Sequence, residues 1–362
     1  VIELSYEQDS APVDLYELSP EPLVPRSASP PGRGPRLVHI GVDSSTRHLS
    51  VPAADVVISA VSVSGPGPVE LCDRPAVYPG SGCGDGGPPF IYIVPHGELP
   101  PLPAEVQLVA PDRQITPSFV EAVKGYARLS LESWAMESPV RALASIYAEM
   151  GRRPVVLLDG PIFIAQGRGV SEAMRRRYEA VSALEAAGVP VVGVVKRIEK
   201  SELLSRAPRF AKLAEKWGVR AEGTDSMIVQ RLAESPHVRE APDKVYVTPR
   251  VVVRGPYGLE KIVEYVVVPA GPWRRPSARS RVYRLEYTEA TLRLLGDLGL
   301  DPLRAFLADS LAKQSLEPVT VSESDRRSKM ITASLKGLLA KSIIGLGGRI
   351  GYESEVEEEG GE

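Results

Sequence analysis

Two aspartates stand where a sheet would present them to solvent. Asp159 closes the apolar run Pro154-Val155-Val156-Leu157-Leu158, and Gly160-Pro161 ends that run at once. Asp43 follows Leu37-Val38-His39-Ile40-Gly41-Val42 in the same manner. Such runs read as strands buried on both faces, and the carboxyl end of such a strand is where α/β sheets hold their chemistry. Taken singly, each aspartate would serve as well as a turn cap. Side by side, two carboxylates repel unless a cation lies between them. Hard oxygen ligands suit Mg²⁺ or Mn²⁺, and two such ions that clamp the attacking and leaving oxygens cut phosphodiesters.

A third apolar run, Val189 to Val195, ends in Lys196, a cation placed to hold a phosphate or position a water. Basic residues cluster in three further places. Between Trp273 and Arg284 lie Arg274, Arg275, Arg279, Arg281 and Arg284, with no acid and with Trp273 and Tyr283 interleaved. That composition suits the backbone and bases of single-stranded DNA, although charges of this kind also blunt sheet edges. Arg168 with Arg175, Arg176 and Arg177 forms a second basic group, and Arg326, Arg327 and Lys329 a third that Glu323 and Asp325 weaken.

The elements that must position these residues follow from periodicity. Strands are predicted at 37–43, 55–64, 90–94 and 106–110 before any helix. Helices follow over 116–134 and from Pro139, with Ser138 as the cap of the second. Strand 154–159, helix 171–187 and strand 189–196 come next. Helices are expected at 200–217, 225–234, 289–315 and 322–343, and strands at 244–254, 261–269 and 280–287. An order of strands, helices, strand, helix, strand resembles the ribonuclease H-like α/β fold, a mixed sheet in which the first and fourth strands are neighbours. Asp43 and Asp159 would then meet at one sheet end.

Composition bounds the rest. The 362 residues are 43% hydrophobic and 25% charged with a net charge of −3, so binding of nucleic acid requires a local patch. No run of about 18 apolar residues suggests a membrane span, the acidic N-terminal stretch does not read as a secretory signal, and a cytoplasmic protein is expected. The chain contains no Asn and 34 Pro, the composition of a thermophile protein. Cys72 and Cys83 lack the companions of a zinc site and leave a disulfide across their Gly/Pro-rich loop open. The absence of a Gly-Lys-Ser/Thr loop argues against ATP hydrolysis by this chain. Three regions are expected: a Pro-rich arm over 1–35, a main domain over 36–345, and an acidic tail over 346–362.

The chain resembles the NurA nucleases. The resemblance rests on Val42-Asp43-Ser44-Ser45, Leu157-Leu158-Asp159-Gly160, the strand ending at Lys196 followed by Thr224-Asp225-Ser226, and Pro302 to Ala312. It implies a ribonuclease H-like core and a metal site formed by Asp43, a glutamate, Asp159 and Asp309. Glu137 is the glutamate favoured, with Glu132 and Glu149 as rivals. It further implies a homodimer that uses Mn²⁺ or Mg²⁺, cuts single- and double-stranded DNA in the 5′→3′ direction, cuts single strands internally, and works with a HerA-type hexameric ATPase in double-strand-break repair. Ser44 stands where the family usually has Gly, and Asp301 falls where it has Tyr. Two other readings stay open: a DNA-binding clamp without activity, and a ribonuclease H-like enzyme that acts on RNA or junctions.

Overall fold

The computed structural model describes residues 15–17, 37–66, 72–76, 82–83, 86–97, 106–109, 117–163, 171–196, 198, 201–206, 208–216, 218–236, 245–248, 250–254, 259–268, 281–310 and 317–351. Among these, twelve strands form one mixed sheet. They are β1 Leu15–Glu17, β2 Leu37–Val51, β3 Ala54–Ser64, β4 Cys72–Arg74, β5 Ile91–Pro95, β6 Val106–Leu108, β7 Arg153–Asp159, β8 Val191–Val195, β9 Tyr246–Val247, β10 Val251–Arg254, β11 Glu260–Val268 and β12 Arg281–Tyr287. The order across the sheet is β1-β10-β11-β12-β8-β7-β2-β3-β5-β6, with β4 beside β3 and β9 beside β11. β2, β7 and β8 run parallel and are buried along their apolar stretches, as their Val- and Leu-rich runs require.

The helices are α1 Pro117–Ala135, a π-turn over Met136–Val140, α2 Arg141–Glu149, α3 Ser171–Ala186, α4 Pro208–Lys216, α5 Asp225–Glu234, α6 Glu289–Asp297, α7 Pro302–Ser310 and α8 Val319–Gly345. The largest core cluster lies between β2, β7, β8 and the α1–α3 region, around Val38, Ile40, Leu157, Leu131 and Leu184. α8 packs on the other face of β2: a Cβ at Gly41 would collide with the Thr320 carbonyl, so only glycine lets the helix start come this close.

Several expectations change. β2 does not stop at Asp43 but continues eight residues further, to Val51, paired with β3 throughout. Ser138 does not cap a new helix. Pro139 lacks the N–H for the ordinary helical bond, and the chain widens into the π-turn and carries on. The helix expected over 289–315 breaks in two. Gly299, at φ +69°, closes α6 with a bond from Leu300 N to Leu295 O (2.9 Å), and Pro302 opens α7. Asp301 caps that new helix by accepting from Arg304 N at 2.7 Å. Within the segment expected to be an arm, Leu15–Glu17 adds a strand to β10. Cys72 and Cys83 are joined as a disulfide.

Candidate metal centre

β2 and β7 pair in parallel from Leu37–Arg153 to Val42–Leu158, so the next pair in register is Asp43 and Asp159. β7 ends there, and Asp43 therefore sits mid-strand at the point where its edge opens. Asp159 pairs with Val194 of β8, and Lys196, two residues on, returns to the same face. Three neighbouring strands thus deliver Asp43, Asp159 and Lys196 in a row. α8 supplies a further carboxylate: one oxygen each from Asp43, Asp159 and Asp325 lie within 4.8 Å of one another.

The surroundings set the charge states. Asp43 is 2% exposed. Burial and then Asp159 push its carboxyl up to about 7, against the pull of Arg128 and of Ser328, whose Oγ donates to Asp43 Oδ2 at 2.7 Å. Burial also raises Asp159, and Lys196 opposes it. Lys196 Nζ lies 2.6 Å from Asp159 Oδ2, 2.5 Å from Glu317 Oε1 and 3.8 Å from Asp325 Oδ2. Burial works against that ammonium, but Asp159 and Glu317 outweigh it and hold its pKa above the ordinary lysine value. Arg128 Nη2 stands 3.7 Å from Asp43 Oδ1 and 3.8 Å from Glu132 Oε1.

The other sequence candidates separate. Glu137 is not in the carboxylate group. It lies on the π-turn and pairs with Arg176 at 2.8 and 3.1 Å. Glu132, one turn earlier, is buried, accepts from Ser44 Oγ and is paired with the fully buried Arg177. Glu149 is exposed at the end of α2, a strand's length from Asp159. Asp309 is buried but engaged elsewhere. Its Oδ2 accepts from Thr320 N (2.8 Å) and Thr320 Oγ1 (2.6 Å), which caps the start of α8, and His39 approaches to 3.9 Å. Asp309→Ala should therefore lower stability by about 1–2 kcal/mol in urea unfolding and leave affinity for a divalent ion at the Asp43–Asp159 centre intact. A loss of that affinity without a loss of stability would restore Asp309 as a ligand.

Of the arginines expected on a DNA surface, Arg175 is exposed and bonded to Glu172 and Glu179, and Arg281 is exposed at the start of β12. Arg284 is turned inward onto Glu286 at 2.9 Å and is not presented to solvent. Arg168, Arg274, Arg275 and Arg279 lie outside the described residues. The sequence reading missed Arg128, Glu317, Ser328 and the role of Asp325. The available signal was the run Ser324, Ser328 and Thr332, four residues apart and all fully buried, which marks the inner face of α8 as polar.

Fold and site together define an α/β protein that gathers carboxylates and a lysine along three adjacent parallel strands, where β7 and β8 end and β2 continues. The NurA domain family matches residues 106–330, more than half of the chain, and the chain belongs to that family. The match spans Asp159, Lys196, Asp309 and Asp325; Asp43 lies ahead of it. No curated protein sequence matches. Among solved structures, the NurA nuclease from Sulfolobus solfataricus is similar with 11% identity and a TM-score of 0.40, over 92% of this chain and 88% of that one. A likeness of that size decides neither fold nor activity. No helix among the described residues is long and apolar enough to cross a membrane.

Proposed function

We propose that this protein is a metal-dependent DNA nuclease whose centre is Asp43, Asp159 and Asp325. The observation that carries the reading is the convergence of three carboxylate oxygens within 4.8 Å, two of them from adjacent parallel strands at the point where β7 ends. The donor set fits Mg²⁺ or Mn²⁺. It is all oxygen, and Asp43 is buried with no cation closer than Arg128 among its described ion pairs. A divalent ion held there would stabilise charge on a scissile phosphate and lower the pKa of a bound water. This chain's own residues do the rest. Ser328 fixes the Asp43 carboxylate, Arg128 approaches it from α1, and Lys196, beside Asp159, supplies a positive charge for a phosphate oxygen. Asp159 and Asp43 hold their places because parallel pairing sets their register.

The strand order β5-β3-β2-β7-β8 supports a ribonuclease H-like core, since it sets the first strand beside the fourth. Membership of the NurA family supports the finer reading: 5′→3′ cutting of single- and double-stranded DNA, internal cutting of single strands, use of Mn²⁺, and end resection by a cytoplasmic homodimer with a HerA-type ATPase. The same reading takes 36–345 as the nuclease domain between the arm and the tail. The test is degradation of end-labelled single-stranded DNA with Mn²⁺, Mg²⁺ or EDTA, by the wild type beside Asp43→Ala and Asp159→Ala. Metal-dependent cutting that both substitutions abolish supports the reading, and cutting that survives either one removes the site. A wild type that binds DNA yet never cuts it, with or without the ATPase, would be the clamp instead.

A further inference from the structure

The carboxylate group already holds a positive charge of its own. Lys196 Nζ is chelated by Asp159 at 2.6 Å and Glu317 at 2.5 Å and lies 3.8 Å from Asp325. The lysine is three-quarters buried, and it extends from the end of β8 into the group and not away from it. An ion bound to Asp159 would take the oxygens at about 2.0–2.3 Å. It would then stand beside an ammonium that claims the same carboxylate, and two cations at that spacing repel strongly in a partly buried site.

We propose that Lys196 is a resident cation that competes with the divalent ion: it holds Asp159, Glu317 and Asp325 together in the metal-free protein, and it must leave Asp159 when an ion arrives. This rests on the metal-centre reading above and adds to it a role for two residues, Lys196 and Glu317. Glu317 gives the displaced ammonium a place to stay. It lies just ahead of α8, and a lysine that pivots from Asp159 to Glu317 remains next to the ion with its charge free for a phosphate oxygen. The alternative is an ordinary partly exposed ion pair that tolerates the ion without moving. Other charges near the group do not offer this exchange. Arg128 stands 3.7 Å from Asp43 and Lys329 pairs with Asp325 along its own helix at 2.7 Å, so neither bridges two elements at Asp159.

The two cases differ in metal affinity. Calorimetric titration of the full chain with Mn²⁺ alone, without DNA, would compare the wild type, Lys196→Met, Lys196→Gln and Asp159→Asn. Removal of the competing charge should tighten Mn²⁺ binding by about tenfold or more, while DNA cutting slows because the phosphate loses its lysine. Lys196→Gln keeps a polar group for Glu317 and guards against a Met variant that folds poorly. Asp159→Asn should abolish the high-affinity site. Equal or weaker Mn²⁺ binding by both folded Lys196 variants, with Asp159→Asn still abolishing it, would overturn the resident-cation role and leave the nuclease reading standing. No Mn²⁺ uptake by the wild type or by the lysine variants would overturn both.

Discussion

Asp43→Asn should make the metal-free protein more stable and, at the same time, inactive. The buried carboxyl is pushed up to about 7 by burial and by Asp159, against about 3.9 in an unfolded chain. Between those two values the folded protein binds more protons than the unfolded one, so stability falls as pH rises across that window. At pH 8 the ionised group would cost folding roughly 2 kcal/mol or more. Asn keeps the shape and the contact with Ser328 Oγ while removing the charge that opposes Asp159. Thermal unfolding in EDTA at pH 5 and pH 8 is the check. The wild type should lose stability between the two, the variant should lose less, and the variant should melt higher at pH 8. Its metal-dependent cutting should drop by at least about a hundredfold, the scale expected when a group that stabilises developing charge is removed. A variant no more stable than the wild type at pH 8 would mean that the two carboxylates do not strain each other.

The second large effect lies behind the centre. Arg177 and Glu132 are each 2% exposed and paired with one another, and Glu132 also accepts from Ser44, the neighbour of Asp43. Arg177→Met would leave Glu132 buried with Arg128, 3.8 Å away and half exposed, as its remaining ion-pair partner among the described residues. Removal of one partner from a buried pair costs about 3–5 kcal/mol, whereas replacement of both by apolar side chains is often near neutral. The single variant should therefore unfold at much lower urea, and Arg177→Met with Glu132→Leu should recover most of the loss. A double variant that is worse than the single one would show that Glu132 does more than answer Arg177.

Asp43 and Asp159 were legible because each follows an apolar run and because parallel neighbours share a face. What the runs did not show is that β2 continues past Asp43; the site forms because β7 stops, not because β2 does. Glu137 and Glu132 could not be ranked from spacing, since the π-turn around Pro139 changes the phase of the helical face between them. Arg177 could have been ranked: it falls in step with the buried Ala173, Met174, Ala180, Val181 and Leu184, a helical stripe, and so belonged to the interior and not to a DNA surface. Asp309 looked like a ligand because its neighbours fit a family helix, but its partner is the start of another helix, eleven residues on, and local sequence does not say where that helix docks. Asp325 was hidden for the opposite reason. It sits among Glu323, Arg326, Arg327 and Lys329, a charge pattern that reads as a solvated face.

The most direct test of the centre is diffraction from crystals of the protein grown with Mn²⁺, recorded just above and just below the manganese absorption edge so that the signal of the metal is told apart from that of sulfur. The structure predicts a peak within bonding distance of Asp43 and Asp159, with Lys196 withdrawn from Asp159 toward Glu317. A protein saturated with Mn²⁺ that shows no peak between those two aspartates, with Lys196 still seated on Asp159, would contradict it.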